Sequence, residues 1–220
     1  MTLFRLDASM RSEGSVSRRV ADAVEAAWAS ERPEEAVVRR DLGLDPAPGH
    51  LWPMAVGAGF TPEPGRTPEQ LEALAASAGL VDELVAADAY LFAVPLYNFG
   101  VPHTLKAWLD LVVTDPRMAS GAPKILAGRP AVLAAVRGGG YGPGTPREGW
   151  DHGTPWVRRI LADVFGLDLQ VVEAELTLAD VNPALAELRP LAAASLAAAL
   201  ERAGQLGRDL ADPARRPSAA

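Results

Sequence analysis

The apolar run Tyr90-Leu91-Phe92-Ala93 is of strand length, and it empties directly into Val94-Pro95-Leu96-Tyr97-Asn98-Phe99-Gly100-Val101. In an open α/β sheet, ligands bind in the crevice beyond the carboxyl ends of the strands, and this loop stands at such an end. It offers a Tyr, an Asn, a Phe and a Gly in succession. A flat aromatic ligand with hydrogen-bonding edges needs that combination. Rings supply faces to pack on, the backbone supplies donors and acceptors, and Gly leaves room for close approach. Aromatics that bury themselves in a strand-to-helix turn leave the same trace, so this loop alone does not decide between the two.

Two more loops occupy matching positions. The short strand Leu3-Phe4-Arg5-Leu6 runs into Asp7-Ala8-Ser9-Met10-Arg11-Ser12-Glu13-Gly14-Ser15-Val16-Ser17. A helical pattern from Arg18 to Trp28 follows, with Val20, Ala21, Val24, Ala27 and Trp28 on one face. Ser15 and Ser17 therefore reach a helix N-terminus, where unpaired backbone N–H groups and the dipole favour an anion. Ser is also the ordinary N-cap residue. The loop has neither the P-loop nor the dinucleotide glycine pattern, so a monophosphate fits best. The third loop follows the strand Ala131–Val136 and reads Arg137-Gly138-Gly139-Gly140-Tyr141-Gly142-Pro143-Gly144. Such glycines serve close backbone approach or a plain mobile loop, and their place at a strand end favours binding. Together the loops suit a phosphate, a ring face and a ring edge, which is the outline of a flavin with one phosphate.

The remaining chain alternates strands and helices, so a single α/β domain over residues 1–208 is expected, with a five-stranded parallel sheet and helices on both faces. Glu35 to Asp41 reads as a charged edge strand. Pro46 to Pro68 reads as a long loop of functional or interface use. Thr67-Pro68-Glu69-Gln70 predicts a capping box opening a helix to about Ala87. A helix near Trp156–Phe165, a strand Leu167–Leu176 and a helix Pro190–Leu206 complete the series. The tail 209–220 is expected to fray.

Composition narrows the function. The chain has 220 residues, 49% of them hydrophobic, and a net charge of −7. An acidic chain with only short basic runs (Arg18-Arg19, Arg39-Arg40, Arg158-Arg159, Arg215-Arg216) is a poor partner for nucleic acid. It contains no Cys, which rules out disulfides and thiolate chemistry. No signal peptide and no apolar run of roughly 18 residues is seen, so a cytoplasmic protein without membrane insertion is expected. His50, His103 and His152 share no helical face, and no metal site is expected. Asp151 and His152 either border a substrate or cap the helix at Thr154-Pro155. A Ser–His–Asp hydrolase would need a nucleophile elbow that is missing.

With these residues in view, the sequence resembles the FMN-dependent NADH azoreductases and quinone reductases of the flavodoxin-like fold. The resemblance runs from the first strand to about Val181. Ser9 with Ser15-Val16-Ser17 matches the family's phosphate loop. Pro95-Leu96-Tyr97-Asn98-Phe99 matches its Pro-Met-Tyr-Asn-Phe, which lies along the flavin ring. Val136-Arg137-Gly138-Gly139 matches its Ser-Arg-Gly-Gly, and Leu105-Lys106-Ala107-Trp108-Leu109-Asp110 is similar to its Leu-Lys-Asn-Tyr-Phe-Asp helix. The resemblance implies non-covalent FMN, with NADH or NADPH as donor and a quinone, azo or other conjugated aromatic acceptor in a ping-pong cycle. It implies a homodimer and no side-chain nucleophile; Trp52, Trp108 and Trp156 are either contact residues of that dimer or core residues. Backbone N–H groups near Asn98, Phe99 and Gly138-Gly139 would stabilise the reduced ring.

The sequence departs from the family in three places. Val136 replaces a Ser. Tyr141 stands where a His is usual, so Phe99, Tyr141 and His152 are the substrate candidates. The connection Thr114–Lys124 carries no aromatic where relatives place a roof, which predicts an open pocket favouring multi-ring quinones. Two other functions share the fold and flavin: a tailoring enzyme for a polycyclic aromatic metabolite, and a flavodoxin-type electron carrier.

Overall fold

The computed structural model describes residues 1–119 and 121–212. Five strands, β1 (Leu3–Asp7), β2 (Val37–Asp41), β3 (Ala89–Pro95), β4 (Pro130–Val136) and β5 (Asp168–Ala174), form one sheet in the order β2-β1-β3-β4-β5. Every neighbouring pair is parallel. Six α-helices connect or flank them: α1 (Val16–Glu31), α2 (Trp52–Gly59), α3 (Pro68–Ala86), α4 (His103–Val112), α5 (Thr154–Arg158) and α6 (Arg189–Ala211). β2 is the expected edge, half exposed and paired only with β1.

The strand pleat sorts the core into two layers. Phe4, Leu6, Tyr90, Phe92 and Leu133 meet α2 to α5 on one face. Leu3, Leu91, Val132 and Val136 meet α1 and α6 on the other. Residues alternate between faces because successive side chains in a strand point opposite ways. β3 and β4 are buried at every position, which is why they read as unbroken apolar runs rather than alternating ones. On the first face the Phe4 ring lies 6.1 Å from Phe92 and 6.4 Å from Trp108. Trp108 is fully buried there. It is a core residue and has no surface to give a second subunit, the second of the two readings that its sequence position allowed. On the second face α1 and α6 cross closely, and a Cβ on Gly207 would lie 2.2 Å from the Val24 carbonyl oxygen.

The capping box forms as predicted: Gln70 N–H donates to Thr67 Oγ1, and Thr67 N–H donates to Gln70 Oε1. Two other readings change. The stretch from Pro46 to Pro68 is not a plain loop, because Trp52–Gly59 is helical. No polar residue occurs between Trp52 and Gly59, so the segment shows no amphipathic period to read. The last helix passes Asp209 and ends at Ala211, with Leu210 and Ala211 buried. Residues 213–220 of the expected frayed tail lie outside the described residues.

Candidate functional site

β1, β3 and β4 are consecutive in the sheet, with Asp7 beside Ala93 and Pro95 beside Val136. Their three following loops therefore stand side by side. The connections from β1 and β3 diverge to opposite sides, so the crevice between these strands is the topological switch point of the sheet.

The first loop is braced from several directions. Ser9 is buried; its Oγ accepts the Arg11 N–H and lies 3.1 Å from the Tyr97 hydroxyl, tying the first loop to the second. Arg18, in the first turn of α1, donates to the carbonyls of Ser9 and Arg11 and forks onto Asp41 at the end of β2, at 2.5 and 2.7 Å. That hydrogen bond holds the Asp41 carboxyl below the usual carboxylate range and raises Arg18 above its ordinary value. A Cβ on Gly43 would lie 2.3 Å from the Ser9 carbonyl oxygen, so the backbone after β2 also packs against this loop. Ser15 is the N-cap of α1, and its hydroxyl lies 3.1 Å from that of the buried Ser17. Among the described residues, the N–H groups of Val16 and Ser17 have no partner within the chain. Two clustered hydroxyls and free donors at a helix start form an anion cradle.

The second loop is strained. Tyr97 and Gly100 exchange both backbone hydrogen bonds, at 2.9 and 3.0 Å, around Asn98 (φ 50°) and Phe99 (φ 68°). Positive φ at both central residues makes a type I′ turn. Asn tolerates it, whereas a bulky residue such as Phe pays about 1 kcal/mol or more. Strain of this kind is kept where the surroundings enforce it. Here the Phe99 carbonyl accepts the His152 N–H at 2.9 Å. Tyr141 and Trp150 approach the Phe99 ring edge-on, at 6.4 and 5.4 Å, and the Arg147 guanidinium lies 5.7 Å from its centre.

The third loop is held at its ends and open in the middle. The carbonyls of Arg137, Gly138 and Gly139 accept the N–H groups of Thr177, Leu178 and Leu176. The N–H groups of Gly138 and Gly139 have no chain partner among the described residues. Arg137 is buried and reaches Asp151 at 3.1 Å and Glu173 at 2.6 Å, the latter as an ionic contact off the hydrogen-bonding angle. Glu175, 3.4 Å from the same guanidinium, also accepts the Tyr141 N–H. Arg137 is therefore a latch for the loop through its side chain, and only its backbone stands beside the crevice.

The predicted residues lie in or at the end of three loops that follow neighbouring strands: Ser9, Ser15, Val16 and Ser17 after β1, Leu96, Tyr97, Asn98 and Phe99 after β3, and Gly138, Gly139 and Tyr141 after β4. The structure ties Ser9 to Tyr97 and sets Tyr141 edge-on to Phe99. Pro95 and Val136 end their strands beside these loops, with the Val136 side chain turned into the α1–α6 core. His152 is exposed and, with His103, Trp52 and Trp156, lines a separate apolar groove of about 560 Å³ along α4. Asp151 proves to be the cap, accepting from Gly153 and Thr154. The Thr114–Lys124 connection lies at the opposite end of the sheet: Arg117 bonds Asp82 and the Ala78 carbonyl, and Lys124 packs on Gly166 just before β5. Its described residues Arg117 and Lys124 pack away from the three loops, so the segment does not act through them on the site within one chain. Sequence reasoning missed Arg18 with Asp41 and Gly43, and Arg147 with Trp150. The pairing of Arg18 needed the sheet order. Trp150 was detectable as an aromatic after a glycine-rich loop. Among the described residues no group of three or more His, Cys, Asp or Glu is placed to hold a metal ion, and no helix is long and apolar enough to cross a membrane.

The free donors at the α1 start, the paired hydroxyls and the uncovered glycine backbone have the chemistry that a phosphate-bearing aromatic cofactor such as flavin mononucleotide requires. Comparison with known proteins identifies the family. The family described as flavodoxin-like fold matches residues 1–200. An FMN-dependent NADH:quinone oxidoreductase of Streptomyces avermitilis is 42% identical over 212 residues, covering 96% of this chain and 97% of that one. The fold is shared with the azoreductase AzrA (TM-score 0.79, 21% identity, 95% and 100% of the two chains). It is shared too with an FMN-dependent NADH-azoreductase of Bacillus anthracis solved with FMN (TM-score 0.75, 18% identity, 96% and 99%).

Proposed function

The chain belongs to the flavodoxin-like family of FMN-dependent NADH:quinone oxidoreductases and azoreductases, and from that premise we propose how its own residues serve the reaction. The helix start at Val16-Ser17, with the Ser15 and Ser17 hydroxyls, would hold the FMN phosphate. The Tyr97–Gly100 turn and the Gly138 and Gly139 N–H groups would hold its ring system. When bound, FMN supplies the two-electron redox chemistry. The protein binds, orients and polarises. Free N–H groups at Asn98, Phe99, Gly138 and Gly139 favour negative charge at the ring edge, as donors in an oxyanion hole do. No side chain acts as a nucleophile.

The observation that carries this reading is the convergence of an anion cradle, a strained aromatic turn and an uncovered glycine backbone on one switch-point crevice. The electron donor is NADH or NADPH, and the acceptor is a quinone, azo compound or related conjugated aromatic. With FMN bound, NADH or NADPH and the acceptor would react in turn, in ping-pong fashion. We propose further that residues 1–208 form a single domain, that the protein works in the cytoplasm, and that it is a homodimer. Trp52, 43% exposed, and the partly buried Trp156 remain as contact residues.

The test is direct. Purified protein should take up FMN, show flavin absorbance that NADH bleaches, and turn NADH over many times when a quinone is present. Ser17→Asp places a charge against the phosphate and should abolish FMN retention, partly recovered at high salt. Ser17→Ala should weaken it about fivefold, the worth of one hydrogen bond. A wild-type protein that stays colourless in excess FMN overturns the reading. Flavin uptake without NADH oxidation would point to an electron carrier instead.

A further inference from the structure

We propose that Arg147, with Phe99, Tyr141 and Trp150, forms a subsite for a flat aromatic ligand that carries an anionic substituent such as a sulfonate or carboxylate. The inference rests on the functional reading above and specifies the ligand class of that same crevice.

The rings provide the flat part. Phe99 is presented by the strained turn, with Tyr141 and Trp150 edge-on to it, and Trp150 remains 52% exposed. A ring pair of this kind leaves an aromatic surface for a third ring to cover. The guanidinium of Arg147 lies over this cluster, 5.7 Å from the Phe99 centre. It also lies 3.6 Å from where a Cβ on Gly139 would stand, as does the Tyr141 ring. The charge is thus held directly above the backbone proposed to meet the ring edge.

Unlike Arg137 and Arg18, Arg147 contacts the aromatic cluster itself and has no carboxylate neutralising it among the described residues. Arg137 is ion-paired to Asp151, Glu173 and Glu175, and Arg18 to Asp41. Arg147 makes no ion pair among the described residues. The nearby carboxylates are already engaged: Glu148 accepts the Gly144 N–H at 2.8 Å, Glu175 the Tyr141 N–H, and Asp151 the Gly153 and Thr154 N–H groups. In a chain of net charge −7, an unpaired cation at the mouth of a crevice gives local attraction for anions against a repelling background. Arg is suited to the task, since its planar fork binds carboxylate or sulfonate oxygens while stacking on a ring. An anionic aromatic acceptor and the dinucleotide donor with its pyrophosphate share this chemistry, and the test separates them.

The experiment uses the FMN-loaded protein with two matched acceptors, 1,4-naphthoquinone and 1,4-naphthoquinone-2-sulfonate, and reads KM for each and for NADH. Equilibrium titration of the two quinones without NADH gives a second readout. Arg147→Ala should raise KM and Kd for the sulfonate about three- to fivefold, the upper part of what an exposed ion pair yields. The neutral quinone should shift by less than about twofold. Arg147→Lys should restore part of the loss, and salt near 1 M should erase the difference between wild type and Arg147→Ala. A rise confined to NADH assigns the subsite to the donor, and a rise for the sulfonate assigns it to the acceptor. Equal shifts for neutral and anionic quinones, or no shift for any ligand, overturn the proposal. Failure of wild-type protein to bind FMN or reduce even the neutral quinone would instead overturn the underlying function.

Discussion

The loop after β1 and the loop after β4 flank the same crevice, yet they are built in opposite ways. The first is cross-linked from every side: Arg18 clamps two of its carbonyls, Ser9 bridges to Tyr97, and Gly43 backs onto Ser9. The second is latched at its ends by Arg137 and Asp151, while residues 143–150 are largely exposed. The difference matches what each is proposed to meet. A phosphate is the same in every turnover and rewards a preorganised cradle. Donor and acceptor differ in shape, and a loop with a free middle adapts to both.

Four substitutions sharpen or break this contrast. The largest effect should come from Gly43→Ala, because its Cβ would meet backbone, the Ser9 carbonyl oxygen at 2.3 Å. A loss of about 2–3 kcal/mol in urea unfolding and poor flavin retention are expected. A stability change near zero would show that the cradle is not rigid. Next, Arg18→Ala should cost about 1.5–2 kcal/mol, in the range of charge-assisted hydrogen bonds. Because the bond from Arg18 holds Asp41 below its ordinary value, the pair stabilises the protein above about pH 4 and loses that contribution as pH falls further. The acid limb of a stability–pH curve should therefore be shallower in the variant than in the wild type.

Smaller consequences are expected on the adaptable side. Phe99→Ala removes ring contacts worth about 0.5–1.5 kcal/mol, and it should lower kcat/KM for flat aromatic acceptors more than it lowers flavin content. Equal losses in the two would place the ring in flavin binding alone. The smallest change should be Gly138→Ala. Its Cβ meets only the side chain of Leu178, at 2.6 Å, and Leu178 is 43% exposed and free to swing away. Thermal unfolding should register less than about 1 kcal/mol. A loss as large as that of Gly43→Ala would mean that the glycine-rich loop is as tightly built as the phosphate loop.

The comparison also marks where sequence reading succeeds. Local signals served well when the deciding interactions were close along the chain. Ser15 as N-cap, Thr67 with Gln70 as a capping box, and the apolar runs of β3 and β4 all follow from neighbours within a few residues. Motif resemblance added the three loops in order and led to the crevice. It left open what one residue type can do in two places. Trp108 could have been interface or core, and burial decides for core. Arg137 was read as a cofactor residue, and its side chain is committed to Asp151 and Glu173. The Thr114–Lys124 connection was read as the site's missing roof and lies beyond the other end of the sheet.

The sequence by itself determined the strands, most of the helices, the parallel sheet and the identity of the loops that border the crevice, because periodicity, caps and glycines act over short chain distances. Only the tertiary structure decided which charges are neutralised. Arg18 finds Asp41 and Arg137 finds Glu173 across strand spacings of 23 and 36 residues, whereas Arg147 finds no carboxylate among the described residues. An ion pair is a matter of a few ångströms in space, and no pattern along the chain encodes that distance until the sheet order has set which strands are neighbours.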